Sequence, residues 1–304
     1  MLVAALSGGV GGAKLLVGLE RVVGSDLTAI VNTGDDASIY GMHISPDVDI
    51  VTYWLAGIAD RKKGWGINKD TFSVVEALGE LGWETWFSLG DRDFATCLYR
   101  TERLRAGATL TEITDEIRAR LGVSTSIIPM TNDQVATRIV TTDGRTLDFQ
   151  EYFVRERCEP EVREVRFAGI TDAHPAPGVI AAIEKADIVV LCPSNPLLSI
   201  GPILSLPGVR AALRDHPRVT GVSPIVGGTA LKGPADRLLE STGHQSSASA
   251  VALMYEDLLD MFVIDATDPE EAEKVEASGI EVRVVDTVMV NDAAAKRVAR
   301  AALS

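Results

Sequence analysis

Residues 1–23, MLVAALSGGVGGAKLLVGLERVV, set the fold class. An apolar run, Leu2 to Leu6, ends in Ser7-Gly8-Gly9-Val10-Gly11-Gly12, and a helix-like stretch follows from Ala13 to Val23. Strand, glycine turn and helix make the opening unit of many nucleotide-binding α/β proteins. Further short apolar runs of the buried, parallel kind lie at Thr28–Asn32, Asp187–Cys192, Arg218–Val222, Met261–Asp265 and Glu281–Val285. Helical patterns separate most of them, which predicts a doubly wound, mostly parallel, nucleotide-binding-like sheet.

The alternation breaks between about Asp60 and Met130. There the spacing predicts helices at Thr71–Leu81 and Leu110–Leu121, the second opened by a capping box at Thr109/Glu112. The chain therefore divides into an α/β core, residues 1–59 and 131–304, and a mainly helical insertion, residues 60–130. After the insertion, Asp143-Gly144 sits between two alternating runs and predicts a tight β-hairpin. Asp268 with Pro269 and Glu271 reads as a helix start, Val48–Ile58 as a helix capped by Asp47, and Asp292–Leu303 as a closing helix.

Ligands of an open α/β sheet sit beyond the carboxyl ends of its strands. The first strand runs into Ser7–Gly12, the strand at Asp187 into Pro193-Ser194-Asn195-Pro196, and the strand at Arg218 into Ser223–Gly228. If the strands are parallel, all three loops border one crevice. The turn Gly8–Lys14 lacks the Gly-Lys-Ser/Thr ending of a P-loop, and Lys14 breaks a dinucleotide fingerprint counted from Gly9. It is either a plain connector or an anion site at a helix N-terminus.

Adjacent Asp35 and Asp36 end the second strand. They form an Asx-rich turn or hold a cation such as Mg2+ that relieves their repulsion. Asp49 in a first helical turn is kept ionised by the helix dipole. Gly90-Asp91-Arg92-Asp93 is a solvated loop or part of a site. Three of the four tryptophans, Trp65, Trp83 and Trp86, lie close to it in sequence, and with Phe87 they suit a flat heterocycle. Among the four histidines only His43, between two acidic clusters, is a functional candidate.

A net charge of −14 argues against nucleic acid or an anionic membrane as partner. No apolar run approaches the roughly 20 residues a membrane span needs. Cys97, Cys158 and Cys192 are far apart and form no CxxC pair, which points to a reducing, cytoplasmic setting and no zinc or disulfide framework. The first residues resemble a signal peptide only superficially, lacking a basic flank.

Taken in order, SGGVGGAKLL, VNTGDDASIYGMHISPDVD, GWGINKDTF, LGDRDFATCLYR, CPSNPLLSIGPILSLPGVR and VSPIVGG resemble the 2-phospho-L-lactate transferase family of coenzyme F-420 biosynthesis. The resemblance implies a homodimeric, magnesium-dependent enzyme. Its reaction would move a phospholactyl-type unit (phospholactate, phosphoenolpyruvate or phosphoglycerate) from a guanosine-diphosphate-linked donor to the terminal ribityl hydroxyl of the deazaflavin Fo, releasing GMP. On that basis Gly8, Gly9, Gly11, Gly12 and Lys14 would meet the diphosphate, and Ser194, Asn195, Ser223 and Gly227 the nucleotide. Asp35, Asp36 and Asp49 would hold the metal. Asp49, or else Asp35, would be the base, and Arg92, positioned by Asp91, would contact Fo or phosphate. The insertion would form part of the deazaflavin pocket. The Gly-Asp-Asp form and the arginine bias lean toward an enolpyruvyl donor. The alternative is a non-catalytic UDP-sugar-binding regulator of the related gluconeogenesis-factor type, which has no evident need for Gly90–Asp93 or the aromatic insertion. The broken fingerprint argues against an NAD-dependent oxidoreductase.

Overall fold

The computed structural model describes all 304 residues. Its central sheet is fully parallel and contains β1 (Val3–Ser7), β2 (Leu27–Val31), β5 (Ser126–Pro129), β9 (Ile188–Leu191), β10 (Val219–Val222), β13 (Met261–Asp265) and β14 (Glu281–Val285). Their spatial order is β14-β13-β10-β9-β1-β2-β5. The chain thus moves outward from β1 to β2 and β5 on one side, then returns to β9 and builds the other side. Such a reversal beside β1 opens a crevice at the carboxyl ends of β1 and β9.

Alternate residues of β1 feed two cores, as the two-residue period of a strand requires. Ala4 and Leu6 join an apolar cluster with Ile30, Val189 and Leu191 on one face. Val3 and Ala5 join Ala29, Ile188 and Val190 on the other. On that second face α1 (Gly9–Val23) buries Leu15, Leu16 and Leu19 against Val298, Ala299 and Ala302 of the C-terminal helix (Asp292–Leu303). Gly18 permits this close crossing, because a Cβ there would stand 2.2 Å from the Ala295 carbonyl oxygen.

The helical insertion has α3 (Ser73–Glu80), α4 (Asp91–Arg105) and α5 (Leu110–Arg120), the last opened by both halves of the capping box. Val75, Leu89 and Cys97 share a small core with Ile39, Met42 and Ile44. Those three belong to an antiparallel pair, β3 (Ala37–Ile39) and β4 (Met42–Ile44), so the insertion packs on residues expected to belong to the α/β core. Its other end also shifts. β5 pairs with β2, so the central sheet includes residues 126–129.

Asp143-Gly144 does make the hairpin, with β6 (Ala136–Thr141) and β7 (Thr146–Asp148) antiparallel and Gly144 at φ +88°. A third strand, β8 (Val162–Ala168), pairs with β6 on its other edge. The last pair is β11 (Ile225–Val226) with β12 (Thr229–Ala230). Several helix starts differ from expectation. The helix near Asp268 begins at Glu271, and the Asp268 carboxylate accepts the Gly227 N–H at 2.8 Å instead of capping. The helix after Ser45, α2, spans Pro46–Leu55, with Ser45 rather than Asp47 at the cap position. No helix is long and apolar enough to cross a membrane.

Candidate active site

Beyond β1 the chain becomes helical at Gly9, four residues earlier than the helical pattern suggests. Three glycines of the turn are required by close approach. A Cβ on Gly8 would lie 2.4 Å from Asp47 Oδ2, one on Gly11 2.3 Å from the Pro193 carbonyl, and one on Gly12 2.2 Å from Ser7 Oγ. Gly9 has φ +63°, the left-handed region that favours glycine. Ser194 Oγ accepts the Gly8 N–H at 3.1 Å and donates to the Gly8 carbonyl at 2.7 Å. The Gly9 N–H donates to Asp47 Oδ1 at 2.8 Å. The helix end is therefore partly capped by a carboxylate from α2. The amides of Val10 and Gly11 have no partner in the chain and remain open to an anion.

Asp47 also accepts from Asn32 Nδ2 at 3.0 Å. Burial pushes its carboxyl up to about 6, against the opposing pull of those two donors. Asp35 is buried beside it, and its Oδ1 has no hydrogen-bond partner. Burial and then the Asp47 charge raise Asp35 well above the usual carboxylate range. Asp36 is placed differently. His43 Nε2 lies 2.8 Å from it, the Ser45 hydroxyl donates to it at 2.8 Å, and it does not line the crevice. His43 thus serves to hold Asp36.

Asp49 is buried in an ion pair with Arg100 from α4. Burial raises its carboxyl, and Arg100 opposes the rise. Asp93 receives the Tyr53 hydroxyl at 2.8 Å. Burial, followed by the Asp49 charge, pushes Asp93 up to about 7. Donor atoms of Asp49, Asp93 and Cys97 lie within 4.8 Å of one another. Arg100 already neutralises this group, and burial keeps the Cys97 thiol protonated, so it does not fit a hard cation.

The Gly90–Asp93 stretch is the start of α4 and not a solvated loop. Asp91 accepts from Thr71 Oγ1 at 2.6 Å and from the amides of Ser73 and Val74 at 3.2 and 2.9 Å, anchoring the start of α3. It makes no bond to Arg92. The Arg92 side chain is exposed, unpaired and outside the crevice. The buried face of α4 carries Asp93, Cys97, Arg100 and Thr101, spaced as a helical stripe, and Arg92 falls off it. The side chain that reaches the site from this motif is Asp93.

A single cavity of about 550 Å³ collects these groups. Its lining includes the carboxylates Asp35, Asp47, Asp49 and Asp93, the lysines Lys14, Lys63 and Lys232, and Gly8 to Gly11. Trp65 and Phe87 contribute aromatic surface, whereas Trp86 packs edge-on against Phe87 at 5.8 Å and Trp83 is exposed. Phe149 and Phe153, stacked at 5.4 Å, add a face from beyond the hairpin that the sequence did not signal. Ser194, Asn195 and Ser223 line the cavity, and Gly227 and Gly12 do not. Asn195 Oδ1 accepts from the Leu197 and Leu198 amides, leaving Nδ2 buried without a partner. The Ser223 hydroxyl is engaged with both backbone groups of Ile225.

A family model described as 2-phospho-L-lactate transferase CofD matches residues 3–303. The chain belongs to the CofD family. Among CofD relatives, the phosphoenolpyruvate transferase of Streptomyces griseus is 43% identical, the match covering 100% of this chain and 98% of that protein. The phosphoenolpyruvate transferase of Kitasatospora aureofaciens is 41% identical, with 100% and 97% covered. The 2-phospho-L-lactate transferase of Methanosarcina mazei is also 41% identical, with 96% of each covered. Identity alone therefore does not separate the two named activities. A crystal structure of a UPF0052-family protein from Bacillus halodurans superposes with a TM-score of 0.68 at 16% identity, covering 99% of this chain and 98% of that one, which supports the shared fold.

The CofD resemblance carries an expectation of magnesium, and the carboxylates can be tested against it. Asp35 and Asp47 are neighbouring, buried, all-oxygen donors, and one Asp35 oxygen is left unsatisfied. That is the donor set a hard dication takes, with phosphate oxygens and water completing its shell. Asp36, engaged with His43 and Ser45, and Asp49, engaged with Arg100, are less available.

Proposed function

We propose that this CofD protein transfers a phospholactyl-type unit from a guanosine-diphosphate-linked donor to the terminal hydroxyl of the deazaflavin Fo, releasing GMP. The observation carrying this reading is the convergence, in one cavity, of open α1 amides, a buried carboxylate pair with one unsatisfied Asp35 oxygen, lysines without carboxylate partners and an aromatic wall. The donor diphosphate lies over Val10 and Gly11, whose N–H groups share its charge. Magnesium held by Asp35 and Asp47 supplies further neutralisation of the phosphate oxygens when bound.

The deazaflavin ring lies between Trp65, Phe87 and the stacked Phe149/Phe153 pair, a set of apolar faces suited to a flat heterocycle. Its ribityl hydroxyl is oriented by a carboxylate that takes the proton as oxygen attacks phosphorus and the bond to GMP breaks. Asp49 was the expected base. Its ion pair with Arg100 suits it better to holding α4 against α2, and Asp93, near neutrality at about 7, suits proton transfer. The three-carbon group of our reading is enolpyruvyl, on the Gly-Asp-Asp form noted above.

The test combines the purified protein with Fo, magnesium and each guanylated donor in turn, following deazaflavin fluorescence and GMP. Our reading expects Fo titration to perturb emission and GMP to appear with the enolpyruvyl donor. Turnover with the lactyl donor alone overturns the choice of three-carbon group. No response to Fo, with tight binding of a UDP-sugar, overturns the transferase reading in favour of a regulator.

A further inference from the structure

Lys14, Lys63 and Lys232 line one cavity, and none forms an ion pair with a carboxylate. In a chain with 43 acidic and 29 basic side chains, unpaired cations gathered in one place call for an external anion. The three reach the cavity from separate segments: Lys14 from α1, Lys63 from the start of the insertion, Lys232 from the stretch after β12. Lys232 Nζ donates to the Lys63 carbonyl at 2.8 Å. Gly64 shows how tightly these segments and the turn meet, since a Cβ there would stand 2.8 Å from Lys232 Nζ and 3.2 Å from the Val10 side chain. Lys63 Nζ rests over the rings of Trp65 and Phe72, at 5.2 and 4.6 Å, which orients it without neutralising it.

Asp47 meets the turn at Gly8 and Gly9, and Gly64 stands beside both Lys232 Nζ and the Val10 side chain. Asp93 and Phe87 line the same cavity, and Phe87 belongs to the aromatic set against which the acceptor is proposed to lie. Lys232 belongs instead to the stretch that follows Ser223, Pro224 and Val226 at the end of β10. We infer that Lys63 and Lys232 form a two-sided clamp on the leaving phosphate, the one that departs with the nucleoside. This inference rests on the proposed guanylated donor. The clamp joins the insertion to the far side of the sheet, and the phosphate it holds is common to GDP and GMP.

The experiment measures GDP, GMP and guanosine binding calorimetrically to the full-length protein and to Lys63→Met, Lys232→Met and Lys232→Arg, with magnesium present. Lys63→Met is expected to melt with the parent, and Lys232→Met, which loses the hydrogen bond to the Lys63 carbonyl, slightly lower, so binding is measured well below both midpoints. The clamp predicts that each Met variant loses about tenfold or more in affinity for both GDP and GMP, with guanosine unchanged and Lys232→Arg largely restoring binding. Loss for GDP with GMP unaffected overturns the leaving-phosphate assignment. Undiminished binding of both by both Met variants overturns the clamp while leaving the donor reading intact. A parent protein that binds none of the guanylates overturns the donor reading, and the clamp with it.

Discussion

At the scale of single residues, the site depends on carboxylates whose neighbours assign them different tasks. Asp35 and Asp36 are adjacent in sequence, and both are candidate metal ligands there. Only the fold shows that Asp36 is engaged by His43 and Ser45 while Asp35 keeps an unpaired oxygen. Asp47 looked like a helix cap because its partners, Gly9 and Asn32, are 38 and 15 positions away. Asp93 was hidden by its exposed neighbour Arg92. Its burial has a kinetic consequence. A base is active when deprotonated, and Asp93 stands near 7, so kcat/KM is expected to rise as pH climbs through about 7 and to level off above it. Asp93→Asn is expected to lower the rate by roughly 10²–10⁴ and to remove that rising limb, while donor affinity stays at the parental value. A variant that keeps the parental rate and limb transfers the role to another group.

At the scale of elements, the strands and most helices were legible because their signals are local. Six of the seven parallel strands stand out as apolar runs, and Met261–Asp265 and Glu281–Val285 are observed with the expected bounds. The seventh, β5 (Ser126–Pro129), has only two isoleucines between a serine and a proline, and it lies in the stretch where helical patterns dominate. The start of α1 was misplaced because glycines carry no helical signal, yet Gly11 and Gly12 are helical here and let the Pro193 carbonyl and the Ser7 and Ser194 side chains approach. Gly18 gives the clearest test of that idea. Alanine in an exposed helix interior is usually better than glycine by about 1 kcal/mol. At Gly18 the added Cβ would meet the Ala295 carbonyl at 2.2 Å, so the sign should reverse. Gly18→Ala is expected to lower the melting temperature by forcing α1 from the C-terminal helix, a cost of about 1–3 kcal/mol. An unchanged or raised melting temperature would show that this crossing is looser than described.

At the scale of the whole molecule, distribution of charge matters more than its sum. The chain is acidic overall, yet its main cavity gathers three lysines without carboxylate partners and open amides together with four buried aspartates. Parallel strands β1, β9 and β10 bring their three loops to that cavity, as the sequence argument required. The aromatic faces come from both the insertion and the segment beyond the hairpin, a meeting that no local pattern reports. The central claim is that α1 amides and a carboxylate-held dication share one diphosphate. Anomalous diffraction from crystals grown with GDP and manganese tests it most directly. The account predicts one manganese peak ligated by Asp35 and Asp47, with the diphosphate oxygens facing the Val10 and Gly11 amides. Manganese or the diphosphate bound away from the turn, for example in the groove lined by Trp54, Arg61 and Asp292, would contradict it.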